Sequence, residues 1–239
     1  AILALSIVIS AFPVLSAREG PVFDRTCAGS TRAVLLMSWL GSAVMAAITV
    51  SAAHVLAKQP DQVPELIGAF ACFAPGVAGA AVIINLSRVM FVIGRLKVAA
   101  AALAGGWLLT IVADVILVEL APPRLVVAAL CLGQTIGQSV VAVPAVIVTR
   151  RICGPEAMRG VVRAALAGLA AGAVAAGAGV AVSLAVPVTG KISAFVIAVP
   201  AALVAIAAFG VVAYLLDDGD LRAIVARLRR AARSRGRPA

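Results

Sequence analysis

Charge is scarce in this chain. Charged residues make up 13% of its 239 residues, about half the share usual in a soluble domain. A water-soluble globule needs a largely polar exterior, and this composition cannot supply one. Histidine is nearly absent: the single one, His54, falls near the end of an apolar run and reads as an interfacial side chain. Four cysteines, Cys27, Cys72, Cys131 and Cys153, are too scattered for a disulfide framework or a Cys-x-x-Cys metal site. All four are read as reduced. There is no Gly-x-Ser-x-Gly elbow, Walker A loop, Gly-x-Gly-x-x-Gly turn or His-Glu-x-x-His pair, so the expectation is a protein that is not an enzyme and carries no organic cofactor.

What is present is apolar. Hydrophobic residues reach 63% and the mean hydropathy is +1.14. Disordered chains are poor in such residues, which leaves an all-α polytopic membrane bundle. A helix needs about 20 mainly apolar residues to cross the hydrocarbon core. The charge-free runs are 1–17, 33–57, 66–87, 98–113, 125–149, 164–190 and 192–216. The first is short because the chain starts at Ala1, inside an apolar stretch and without Met. That start implies a longer protein, cut at its N-terminus. The fourth run continues past Asp114 through Val115, Ile116, Leu117 and Val118. Ten Leu, Ile and Val residues between 98 and 118 outweigh one Asp that costs about 3 kcal/mol at most. About seven spans are expected, the first partial, and each is helical because lipid offers the backbone no hydrogen-bond partner.

The net charge is +10, which in a soluble protein would raise nucleic acid as a partner. Here the basic residues sit between runs and in the tail, so no nucleic acid is expected. The connections around 18–32, 88–97 and 150–163 and the tail from 217 hold 17 Lys and Arg, whereas the alternate set holds only Lys58, Arg124 and Lys191. The positive-inside rule places the first set, and the C-terminus, in the cytoplasm.

Within the spans, Gly133 with Gly137 and Gly168 with Gly172 form small-xxx-small faces suited to close helix packing. Pro13, Pro75, Pro144 and Pro200 predict kinks or breaks. Asp114 is the one acidic residue well inside a span, with Thr110 on the same helix face and Gln134 and Gln138 paired on the next helix. Their oxygens can coordinate a hard monovalent cation, or Asp114 can carry a proton. The competing reading is an interhelical hydrogen-bond clamp. In the tail, Leu221, Ile224, Val225 and Leu228 recur at helical spacing among five arginines. An amphipathic helix over 220–235, held to anionic lipids, is expected there.

The order of parts resembles the C-terminal half of the MurJ/MviN family of lipid II flippases, within the multidrug and oligosaccharidyl-lipid exporter superfamily. The similarity covers 1–216. It runs from Phe12-Pro13-Val14-Leu15-Ser16 through Arg18, Arg25 and Arg32 to Phe73-Ala74-Pro75-Gly76. It continues with Arg88-Val89-Met90-Phe91, the basic turn Gly94-Arg95-Leu96-Lys97, Pro122-Pro123 and Thr149-Arg150-Arg151. Val92-Ile93 and Val98-Ala99 stand where the family usually has Tyr-Ala and Thr-Pro. The resemblance implies two six-helix lobes, two final helices that form a lipid-tail groove, and alternating access. Residues 1–149 would then be most of the second lobe, 150–216 the groove pair and 217–239 a cytoplasmic tail. The implied function is transfer of an undecaprenyl-linked peptidoglycan precursor across the bacterial plasma membrane, in partnership with an N-terminal half. Some members bind sodium in this lobe, and the matching face here is Thr110, Asp114 and Gln134; coupling to Na+ or H+ is implied. Another exporter of the superfamily, moving a polysaccharide lipid or a drug, and a non-transporting scaffold of the cell-wall machinery are the alternatives. A transporter predicts an open cleft between the lobe and the last two helices, and a scaffold predicts a filled bundle.

Overall fold

The structure is a computed structural model and describes residues 20–186, 188 and 190–216. The segment expected at 1–17, with Pro13 and the Phe12–Ser16 motif, and the helix expected over 220–235 lie outside the described residues. Among the described residues there are eight α-helices and no strand. They are α1 (Pro21–Ala47), α2 (Thr49–Leu56), α3 (Gln62–Phe73), α4 (Gly76–Val92), α5 (Leu96–Leu120), α6 (Val126–Cys153), α7 (Val161–Ala185) and α8 (Lys191–Leu216). Short 3-10 turns cover Pro123–Leu125 and Glu156–Met158. Six stretches are long and apolar enough to cross a membrane. Their outer faces carry exposed large apolar side chains, such as Leu108 at 63% and Leu166 at 62% exposure, a surface that water does not tolerate over this extent. The chain is a helical membrane protein.

Helix ends extend beyond the charge-free runs. The stretch around 18–32, expected as a connection, is helical from Pro21 onward. Proline at the first helical position lacks only an N–H that would have no partner there anyway, and Arg25 and Arg32 do not interrupt backbone hydrogen bonding. The basic turn after α4 is closed by Gly94, whose φ of 73° lets the Arg95 N–H reach the Met90 carbonyl at 2.8 Å. That left-handed closure is open to glycine at little cost.

Two spans are interrupted. One break is at Ala74-Pro75, as proline there predicts. The carbonyls it releases are taken up by α6, where the Thr135 hydroxyl donates to Cys72 O at 2.5 Å and lies 3.5 Å from Phe73 O. Gly76 permits this approach, since a Cβ there would come within 2.8 Å of Thr135 Cα. The other break is at Ile48, between α1 and α2, where no proline announces it. By contrast α6 and α8 run through Pro144 and Pro200 without interruption.

Helix α1 is the hub: it packs on α4 to one side and on α7 and α8 to the other. Helix α6 packs on α3, α4 and α5. The hydroxyls of Ser30, Thr31, Ser38 and Ser42 on α1 are buried, and each donates to a carbonyl three or four residues earlier in the same helix. That self-satisfaction lets polar side chains sit in an apolar interior. Thr31 also accepts from Asn85 Nδ2 of α4 at 3.0 Å, and both side chains are buried. The ends with basic turns meet at one end of the bundle, where Cys27, Met90, Ala99, Met158 and Val161 share a core cluster. Farther along, Leu36, Ala43, Ala47, Ala171, Ala205 and Phe209 form a second cluster between α1, α7 and α8.

Candidate functional site

Glycine decides how closely α5 and α6 approach. A Cβ on Gly137 would fall within 2.7 Å of Thr110 Cα, and one on Gly133 within 3.0 Å of the Asp114 backbone nitrogen as well as onto its carboxylate. Thr110 and Asp114 therefore share the α5 face that meets α6, as their spacing predicts. The Thr110 hydroxyl donates to the Gly106 carbonyl of its own helix at 2.9 Å. Asp114 Oδ1 is buried and accepts no hydrogen bond from a group among the described residues.

Gln134, one step along α6 from Gly133, is rotated by about 100° from the Asp114 contact and is partly buried. Among the described residues, Thr110, Asp114 and Gln134 form no hydrogen bond with one another. Gln138 is buried, with its amide next to Gly106, where a Cβ would meet Oε1 at 3.1 Å. A hydrogen bond between side chains of two helices does form elsewhere, between Asn85 and Thr31. Asn85 is the lone asparagine in the chain and sits inside a charge-free run, a sequence signal weaker than that of Asp114 because an amide carries no charge. Among the described residues no cluster of three or more His, Cys, Asp and Glu side chains could hold a metal ion. His54 lies in α2 with Nδ1 2.8 Å from the Val50 carbonyl, and all four cysteines are free.

The second polar feature is a cleft of 810 Å³ between α1, the turn before α7, α7 and the end of α8. On α1, Arg25, Ala28, Arg32 and Leu36 recur every three or four residues and so line it from one face. Arg159 and Arg163 face them from the turn and the first turn of α7, with Asp24 and Glu156 also at the mouth. Ala164 and Ala213, both buried, and the half-buried Ala167 also line it. The room arises because alanines meet where three helices converge. The Arg32 guanidinium donates to the Arg159 carbonyl at 2.6 Å, which holds the turn against α1. Gly160 leaves space for it, since a Cβ there would stand 3.2 Å from Arg32 Cδ. Arg25 Nε donates to the Pro21 carbonyl at 3.2 Å. Arg159 and Glu156 form an exposed ion pair at 3.4 Å, of the kind that contributes less than about 1 kcal/mol. Among the described lining residues, four arginines stand with Asp24 and Glu156. On the other side of the same turn, a shallower depression of 580 Å³ adds Arg150. In the sequence these arginines mark orientation and the family resemblance, and the seven-residue spacing of Arg25 and Arg32 already puts the two on one helix face.

No protein-family model, curated protein or solved structure matches the chain.

Proposed function

We propose that the chain is part of a transporter of the MurJ/MviN type, moving an undecaprenyl-linked peptidoglycan precursor across the bacterial plasma membrane by alternating access. The basic end of the bundle, and with it the C-terminus, faces the cytoplasm in this reading, as the distribution of Lys and Arg requires. The observation that supports it is the 810 Å³ cleft between α1 and the final helix pair. A scaffold that only packs against other proteins has no use for such an opening, and a carrier of an amphiphile needs one. Thr110 and Asp114 are the proposed coupling-cation face, with Gln134 next along α6 from the Gly133 contact. The buried Asp114 oxygen without a hydrogen-bond donor supports a role beyond a clamp.

The test is reconstitution of this chain together with the N-terminal half that the reading pairs it with, into liposomes that carry fluorescent lipid II, followed by quenching from outside. The expected result is transfer of labelled lipid between leaflets, lost in Ala167→Trp, which puts a bulky side chain on the cleft lining. Transfer no faster than in protein-free liposomes rejects the reading. Transfer of a polysaccharide lipid or a drug in place of lipid II moves the protein to another exporter class.

A further inference from the structure

We infer that Cys27, Met90, Cys153 and Met158 form a binding site for one soft monovalent metal ion, Cu(I), at the basic end of the bundle. The inference does not depend on the transport reading, since a scaffold would hold such an ion equally well.

The four sulfurs come from four elements. Cys27 stands on α1, Met90 on α4, Cys153 at the end of α6 and Met158 in the 3-10 turn Glu156–Met158. No motif spacing connects them, and the fold gathers them. Cys27, Met90 and Met158 are buried members of one core cluster, and Cys153 packs against it. Cys153 also lies within electrostatic range of Cys27, and Asp24 within range of both. The chain has four cysteines and four methionines, so half of its sulfur stands here. The cluster between α1, α7 and α8 holds none.

Two hydrogen bonds fix the levels. Helices α1 and α4 lie in successive spans and so run antiparallel. Thr31 of the one is bonded to Asn85 of the other. Cys27 is four residues before Thr31 and Met90 five after Asn85, displacements of about 6 and 7.5 Å in the same direction. The two residues therefore share a level. The Arg32–Arg159 hydrogen bond holds the next turn against α1, and Met158 immediately precedes Arg159.

Thiolates and thioethers are soft, polarisable donors, and a set made of both selects Cu(I). Zinc draws instead on Cys, His, Asp and Glu. The one histidine, His54, is on α2, beyond the opposite end of α1. The wall around the sulfurs is apolar, with Val89, Ala99 and Val161 in the same cluster, so water does not compete for the ion. Cys27 is fully buried and Cys153 only partly so, which makes Cys153 the point of entry. Each thiol that ligates releases its proton to water.

The experiment uses the purified full chain in a neutral detergent, kept anaerobic with ascorbate so that added copper stays Cu(I). After desalting, one retained Cu(I) per chain is expected, with sulfur-to-copper charge-transfer absorption and a raised unfolding midpoint. Zn(II) added in its place should wash out. Cys27→Ala with Cys153→Ala should abolish retention, whereas Cys72→Ala with Cys131→Ala should leave it intact. Met90→Leu with Met158→Leu preserves core volume and should weaken binding at least about tenfold against a competing Cu(I) chelator. Cys153→Ala alone, at a partly exposed helix end, should also weaken binding and decides the matter if the Cys27 variant does not fold. The inference is overturned if no Cu(I) is retained or if Zn(II) is held as firmly. It is overturned equally if the Cys153 or methionine variants bind as the unaltered chain does, or if the Cys72 and Cys131 substitutions remove the ion.

Discussion

The Ser183 hydroxyl on α7 donates to the carbonyl of Ala47 at 2.8 Å, at the point where α1 gives way to α2. Gly179, one turn earlier on α7, brings the helices close enough for that bond, since a Cβ there would stand 3.1 Å from Ala47 Cα. Thr135 does the same for Cys72 at the other break. In each case a carbonyl freed inside the membrane is satisfied by a hydroxyl from the neighbouring helix, which is what makes an interrupted span tolerable in lipid.

Ser183→Ala removes the donor and leaves the Ala47 carbonyl in an apolar setting. A loss of about 1 kcal/mol is expected, read from unfolding in detergent. Ser183→Thr, which keeps the hydroxyl, should retain most of the stability. Equal losses in both variants would show that packing, and not the bond, holds this junction.

Asn85 and Thr31 are buried partners. Thr31→Val leaves the Asn85 amide without its acceptor and should cost about 1–2 kcal/mol. Adding Asn85→Leu removes the stranded polar group and should recover much of that loss. A double-mutant cycle with no coupling between the two positions would contradict the pairing.

Gly168 and Gly172 differ in what they face. A Cβ on Gly168 would come within 2.6 Å of Trp39 Cδ1, whereas on Gly172 the nearest atoms are at an ordinary 3.5 Å. Gly168→Ala is therefore expected to destabilise the α1–α7 contact by about 1–3 kcal/mol, and Gly172→Ala to be nearly neutral. Unfolding midpoints of the two variants compared side by side test this. Equal midpoints would show that the indole moves aside without cost.

Asp114→Asn preserves size and most hydrogen-bonding capacity while removing charge. If the Thr110–Asp114 face couples transport to a cation, lipid transfer should lose its dependence on a sodium or proton gradient while the unfolding midpoint moves little. Gradient-dependent transfer that persists in the variant would leave Asp114 with a packing role against Gly133 alone.

The expected faces were legible in the sequence to different depths. Thr110 with Asp114, and Gly133 with Gly137, were readable because helical spacing alone places them on single faces, and the two faces meet. Gly168 and Gly172 were readable as a contact face, but not their partner, which is Trp39 of α1. The break at Pro75 was readable from a missing N–H. The break at Ile48 was not, because no proline marks it and the hydroxyl that takes up the Ala47 carbonyl lies 136 residues away at Ser183.

Membrane class, the spans within 20–216 and the clustering of basic turns at one end follow from the sequence alone. Apolarity and charge add up residue by residue along the chain, and no partner is needed to evaluate them. Which helix packs on which was decided only in the tertiary structure, and so were the cleft and its ring of arginines. Lipid tails are as apolar as leucine, so hydrophobicity does not distinguish a helix neighbour from the bilayer. The choice falls to shape, to where a glycine admits a backbone, an indole or a hydroxyl, and those fits exist only once both surfaces are in place.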